Sequence, residues 1–304
     1  MTEGPDPRRW KALAVLGVAY LMVVLDVSIV NVALPSIQTD LSFAPEDLQW
    51  VVSGYALTFG GFLLLGGRAG DLLGRRIVFM TGLALFAAFS LLCGLAWSSG
   101  ALIAFRALQG SAGAILSPSV YSIVSVSFEE GPERNKALGI LGAISGAGAA
   151  IGVLLGGVLT EYAGWEWIFF VNVPIGIGTL FFVPRFVRES RAYGLTRHFD
   201  SLGAVSVTAS LMLLVYGLTQ SNNHGWGSAT TIGVLAGSAV LMAAFLFVES
   251  RSRSPLVPLG FFRNRTPTGA NLIGFGLGTA IFGMFFLLLV VRVEQSGYVP
   301  VAQW

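Results

Sequence analysis

Apolar runs of about twenty residues, separated by short polar turns, follow one another along almost the whole chain. A helix crossing a bilayer core of about 30 Å needs about 20 predominantly apolar residues. Nine segments meet that length: Ala12–Leu34, Leu48–Gly67, Ile77–Trp97, Ala101–Phe128, Ala137–Thr160, Trp167–Pro184, Ser201–Ser221, Gly227–Val248 and Thr266–Val291. The fourth is long and is expected to end near Tyr121. Nine such segments with few charges between them argue against buried helices of a soluble protein. The first has a basic lead of Arg8, Arg9 and Lys11, as a signal peptide would. Its apolar run is longer than a signal peptide's and carries no small-residue cleavage site, so it reads as an uncleaved anchor.

The basic residues test this map independently. All but two of the 18 Lys and Arg fall on alternate connections: Arg8, Arg9 and Lys11; Arg68, Arg75 and Arg76; Arg134 and Lys136; Arg185, Arg188, Arg191 and Arg197; Arg251, Arg253, Arg263 and Arg265. The opposite connections hold Asp40, Glu46, Asp47, Glu161 and Glu166 and no basic residue. Positive-inside bias therefore predicts a cytoplasmic N-terminus. The seven Trp lie at or beyond the ends of the runs, where interfacial anchoring accounts for most of them.

Composition narrows the class further. Of 304 residues, 54% are hydrophobic and 11% charged, against roughly 25% charged in soluble domains. A formal net charge of +2 excludes a strongly basic nucleic-acid binder. The 39 glycines suit close-packed membrane helices. Cys93 stands alone and permits neither an internal disulfide nor a cysteine metal cluster. His198 and His224 fall in expected loops, so no metal site is expected, and no catalytic constellation or nucleotide signature appears. The chain reads as an all-α polytopic membrane protein and not as an enzyme.

Two charges interrupt the apolar runs, Asp26 in the first and Arg106 in the fourth. A charge at mid-bilayer costs at least about 2.5–3.5 kcal/mol on insertion scales, which makes it a functional candidate by default. At 1.5 Å per residue Asp26 lies about 21 Å from the start of its helix. Arg106, in a helix running the other way, lies about 8 Å from the opposite boundary, at nearly the same level. The pair is therefore either a fixed ion pair locking two helices or a proton or cation site. Gln109 follows Arg106 on the same face and either joins that site or bonds a neighbouring helix. Asn31 is interior enough to contribute.

Between the second and third runs, Gly67, Gly70 and Gly74 surround Asp71, Arg75 and Arg76. Glycines permit a short reversal, and Asp71 can cap the next helix or pair with the arginines. In the fifth run Gly148, Gly152 and Gly156, with Gly157 beside them, form a small-xxx-small stripe. Such a stripe serves either plain packing or a seam that shifts during transport. Glu129, Glu130 and Glu133 with Arg134 and Lys136 read as a solvated turn. Tyr20, Met22, Tyr55, Phe59, Phe62 and Tyr121 either line an apolar cavity or pack.

Taken together, several stretches resemble the major facilitator superfamily, and within it the fourteen-span drug:proton antiporter branch (EmrB/QacA-like). They are 25–35 (Leu-Asp-Val-Ser-Ile-Val-Asn-Val-Ala-Leu-Pro), the 67–76 loop, 106–110 (Arg-Ala-Leu-Gln-Gly), the glycines ending at Gly156-Gly157, and 165–174 (Trp-Glu-Trp-Ile-Phe-Phe-Val-Asn-Val-Pro). The resemblance runs from about residue 11 to about 290. It implies two six-helix halves rocking about a central cavity, with two extra spans between them. On that reading residues 1–184 form the first half, 185–265 a linker with the two extra helices, and 266–304 the start of a second half. Asp26 would bind protons or cationic drugs, with Arg106, Gln109 and Asn31 in coupling. Gly67, Gly70, Asp71, Gly74, Arg75 and Arg76 would form a cytoplasmic gate, and Gly148, Gly152, Gly156 and Gly157 the antiporter motif.

Two positions depart from the pattern: Val153 stands where the antiporter motif has proline, and Glu166 where the family has arginine between tryptophans. A full member has about five more spans, so the chain is expected to be C-terminally truncated. The resemblance implies a multi-pass plasma-membrane efflux transporter of amphipathic small molecules, driven by the proton gradient and needing no cofactor. The alternatives are an exporter of an endogenous metabolite or antibiotic, and an inactive fragment or one completed by a second chain.

Overall fold

A computed structural model describes residues 7–191 and 201–252, together with residues 260, 264–265 and 268–279. Arg197, His198, Arg253, Arg263, Arg292, the closing residues 294–304 and the end of the ninth expected span lie outside them. The regular elements are helices: α1 (Arg9–Asp40), α2 (Pro45–Leu48), α3 (Trp50–Leu73), α4 (Arg75–Gly94), α5 (Ser99–Ser127), α6 (Pro132–Tyr162), α7 (Trp167–Phe170), α8 (Asn172–Phe186), α9 (Ser201–His224) and α10 (Ala229–Arg251). The chain forms two units, Met1–Leu256 and Val257–Trp304. In the second, residues 268–279 are helical.

Among the described residues seven helices are long and apolar enough to cross a membrane, with α7 and α8 counted together. The 29-residue α5 falls short of that group in hydropathy because Arg106, Gln109 and a run of Gly and Ser dilute its apolar residues. It does not end near Tyr121 as expected but continues to Ser127, and Pro118 lies inside it. Likewise α1 runs through Pro35 to Asp40, past the expected Leu34. Each proline removes one backbone donor, but membrane helices tolerate this where neighbouring helices supply the packing.

Starts and stops have local causes. Ser98 and Ser228 cap α5 and α10 by accepting from the N–H of Ala101 and Thr231. Gly131, with φ of +142°, reverses the chain before Pro132 opens α6. His224, expected in a loop, is the last residue of α9.

Small residues set the helix packing. Gly66 lies so close to the Ala114 carbonyl, and Gly110 to that of Tyr55, that a Cβ fits at neither position, and this interlocks α3 with α5. On α6, Gly148, Gly152 and Gly156 face α1, while Gly157 faces open space. Helices α9 and α10 pair through Ser210 and Ser238, each hydroxyl donating to the other residue's carbonyl, at 2.9 and 2.8 Å. The pair docks on α3 where Met212 meets Gly61 and Tyr216 meets the Trp50 ring.

The first unit has two apolar cores. One gathers Leu16, Met22, Phe79, Phe86, Leu116 and Val120; the other gathers Ile29, Val51, Cys93, Leu102, Ile168 and Phe169. Along α1, α4 and α5, and between α7 and the rest of α8, the boundary between the two cores falls on polar residues.

Candidate functional site

Those polar residues are Asp26 on α1, Ser90 on α4, Arg106 and Gln109 on α5, and Asn172 at the start of α8. All five are fully buried. They form a thin polar layer between two apolar slabs, where an unpaired charge would be prohibitive.

Inside the layer nearly every group is matched. Arg106 Nη1 donates to Asp26 Oδ2 and to Gln109 Oε1, both at 2.6 Å, and its Nε donates to the Val51 carbonyl at 3.1 Å. The guanidinium also lies 4.3 Å above the Tyr55 ring, a contact worth about 2 kcal/mol when desolvated. Gln109 Nε2 donates to Asp26 Oδ1 at 2.8 Å. Asn172 Nδ2 donates to the same oxygen at 3.0 Å and to Ser90 Oγ at 2.9 Å, and Ser90 in turn donates to the Phe169 carbonyl. Cys93 lies against Gln109 Oε1 at 3.5 Å. Asp26 thus receives three N–H donors and one guanidinium charge, a pattern that suits an ionised carboxylate.

Of the expected coupling residues, three meet here and one does not. Asn31 lies on an exposed face of α1, where its amide donates to the Val27 carbonyl one turn back at 2.8 Å. Five residues on from Asp26, at 3.6 residues per turn, Asn31 lies about 140° round the helix and outside the layer. Asn172 and Ser90 enter the layer unannounced. Asn172 had appeared only inside a motif-like stretch, and one serine among many carries no sequence signal.

Residues 67–73, expected in a loop, continue α3, and of the two roles open to Asp71, capping the next helix or pairing with the arginines, the structure shows the pairing. Asp71 Oδ1 pairs with Arg75 at 2.8 Å, one helical turn on. The start of α4 is capped instead by Glu189, whose two oxygens accept from the N–H groups of Arg76 and Ile77, each at 3.1 Å. Gly74 sits beneath that carboxylate with φ of +117°, and a Cβ there would lie 2.8 Å from Glu189 Oε1. The segment after α8 also takes the Arg75 N–H on the Ser190 carbonyl.

The turn before α6 keeps Glu129, Glu130 and Glu133 exposed, as expected, and is anchored at two points. Glu133 pairs with Arg9 at 2.8 Å, and Lys136 lies over the Trp10 ring. Trp165, expected to be an interfacial anchor, is buried and donates to Asp40 at 2.9 Å. Met22 and Tyr55 are packed in the core, whereas Tyr20 and Tyr121 touch through their hydroxyls at 2.9 Å on a more open face.

Comparison with known proteins agrees with this architecture. A family profile described as Major Facilitator Superfamily matches residues 16–302. The puromycin resistance protein pur8 of Streptomyces alboniger is 40% identical over 302 residues, covering 98% of this chain and 59% of that protein. The cephamycin export protein CmcT of Amycolatopsis lactamdurans is 43% identical over 290 residues, covering 94% and 60%. The chain therefore spans about 60% of the length of these relatives. Among solved structures, a bacterial homologue of the human lysosomal transporter Spinster, inward-facing and unoccupied, aligns with a TM-score of 0.54. That alignment covers 80% of this chain and 61% of the other at 20% identity, a likeness of fold.

Proposed function

The chain belongs to the Major Facilitator Superfamily, a family of multi-pass membrane transporters, and from that premise we propose that it serves proton-coupled efflux of amphipathic small molecules by antiport. One observation carries this reading: a fully buried, charge-paired Asp26 held between helices α1, α5 and α8 in an otherwise apolar bundle. A merely structural pair is a poor investment, because replacing such a pair with apolar side chains is often neutral or stabilising.

The surroundings suit a proton cycle. When Asp26 takes up a proton, Arg106 must keep its own charge solvated. It has the means, since the Val51 carbonyl, Gln109 Oε1 and the Tyr55 ring already hold it. When the proton leaves, the carboxylate recovers the guanidinium. An amphipathic cation arriving near Asp26 favours the second state and a proton the first, which is the exchange an antiporter needs. The energy source is the proton gradient, and no cofactor enters.

Around this centre we assign residues 1–184 to a six-helix half, 185–265 to a linker with two extra spans, and 266–304 to the opening of a second half, as in the fourteen-span branch. The N-terminus lies in the cytoplasm and the protein in the plasma membrane. Gly67, Gly70, Asp71, Gly74, Arg75 and Arg76 form a gate on the cytoplasmic side.

The test is efflux of a lipophilic cationic dye from vesicles under an imposed pH gradient, with Asp26→Asn alongside. Gradient-dependent efflux lost in the variant supports the reading; a well-inserted protein without it overturns it. The similarity to CmcT favours a second reading, export of one endogenous metabolite or antibiotic on the same scaffold. Growth protection against a drug panel, set against metabolite retention in a deletion strain, separates the two.

A further inference from the structure

The hydrogen-bond inventory of the buried layer has one imbalance. Every partner of Asp26 is a donor: Arg106 Nη1, Gln109 Nε2 and Asn172 Nδ2. A protonated carboxyl adds an O–H that must find an acceptor, because an unsatisfied buried donor costs about 1–3 kcal/mol. Gln109 Oε1 is occupied by Arg106 and Cys93. Asn172 Oδ1 is not: it is buried and has no hydrogen-bond partner, while the nitrogen of the same amide serves two acceptors. The spare acceptor and the donor that faces Asp26 thus belong to one planar group, exchanged by a half-turn about a single side-chain bond.

We propose that Asn172 is a positioning residue whose amide reads the charge of Asp26, turning its nitrogen to the carboxylate and its oxygen to the carboxylic acid. The inference rests on the proton-coupling reading above and deepens it. With Asp26 ionised, the observed orientation makes two good bonds, and the reversed one would set two oxygens against each other. With Asp26 protonated, the order inverts, and the acid O–H donates to Asn172 Oδ1.

The turn has a consequence one bond further on. Ser90 Oγ now accepts from Asn172 and donates to the Phe169 carbonyl at 2.9 Å. Once an amide oxygen faces it, Ser90 donates there and releases Phe169. Phe169 lies next to the last residue of the short α7, and Asn172 begins α8, so the two partners of Ser90 flank the break between these helices. A proton on Asp26 is thereby communicated to α4 and to the α7–α8 junction with no chemistry beyond a proton gained and hydrogen bonds exchanged. The other ionisable groups facing Asp26 from the packed helices are Arg106 on α5, Tyr55 on α3 and Cys93 on α4. Arg106 has no acceptor atom, Cys93 is turned to Gln109 Oε1, and the Tyr55 hydroxyl, though buried without a partner, lies against Gly113, one turn of α5 past Gln109.

The experiment is pH-difference infrared spectroscopy of the full chain in lipid nanodiscs, with ¹³C,¹⁵N-labelled asparagine and without, requiring no transport. The account expects a protonated-carboxyl band that vanishes in Asp26→Asn. It expects a labelled asparagine carbonyl band that titrates with it and is lost in Asn172→Ala. In Asn172→Ala the Asp26 acid band should persist and shift to higher wavenumber, because its O–H has lost its acceptor. If Asp26 titrates while no asparagine band follows it, the inference is overturned, an ordered water becomes the acceptor, and proton coupling stands. If no Asp26-dependent acid band appears at any pH, the inference and the coupling reading both fall. Should Asn172→Ala not fold, the labelled native protein with Asp26→Asn still decides between these outcomes.

Discussion

Glu189 accepts the backbone N–H of Arg76 at 3.1 Å and that of Ile77 at the same distance, so the segment leaving α8 caps the first turn of α4. The four leading N–H groups of a helix lack internal partners, and a carboxylate there answers both the hydrogen bonds and the helix dipole. The guanidinium of Arg76 adds a looser contact at 3.9 Å. A cap of this kind contributes about 1 kcal/mol. Glu189→Ala is therefore expected to speed amide exchange at Arg76 and Ile77, with Glu189→Gln intermediate because it keeps an acceptor. Exchange measured residue by residue in nanodiscs checks this, and unchanged protection in both variants would remove the cap from the account.

The glycines of α6 should separate into two kinds. At Gly152 a Cβ would run into Ser28 Oγ and lie 3.2 Å from the Leu25 carbonyl, whereas at Gly157 nothing stands within 4 Å. Overpacking of this sort costs typically about 1–3 kcal/mol. Gly152→Ala should lower thermal stability, and Ser28→Ala should restore part of the loss in the double variant. Gly157→Ala should be neutral or slightly stabilising, since alanine favours helix over glycine by about 1 kcal/mol. Thermal unfolding of the four variants in detergent reads the coupling.

The buried pair should show the asymmetry of desolvated charges. Arg106→Leu alone leaves Asp26 uncompensated and is expected to destabilise the fold by about 3–5 kcal/mol. Combining it with Asp26→Asn removes the orphaned charge and should recover much of that loss. Equal stability of the single and double variants would mean that the layer is less desolvated than its geometry implies.

Much of this arrangement was legible in the sequence, for reasons specific to membranes. Length and hydropathy fix where a helix crosses, so the spans emerged from apolar runs. The depth arithmetic placed Asp26 and Arg106 at one level because helical rise is constant, and they lie 2.6 Å apart. The three-residue spacing put Gln109 on the face of Arg106 but left open whether it joined the pair or bonded a neighbouring helix. What stayed hidden depends on rotation and on distant sequence. Asn31 shares a helix with Asp26 but faces away from the layer, a matter of azimuth that uniformly apolar surroundings do not reveal. Asn172 and Glu189 come from 146 and 113 positions away, to Asp26 and to the start of α4 respectively. Only the folded bundle shows that such ordinary polar residues have partners.

The most direct test of proton coupling at Asp26 is substrate-induced proton release from the purified protein, followed with a pH indicator in weakly buffered solution. The account predicts that binding a lipophilic cation releases a proton and that Asp26→Asn binds the cation without release. Release that persists undiminished in Asp26→Asn, or binding to the native protein with no release at any pH, would contradict it.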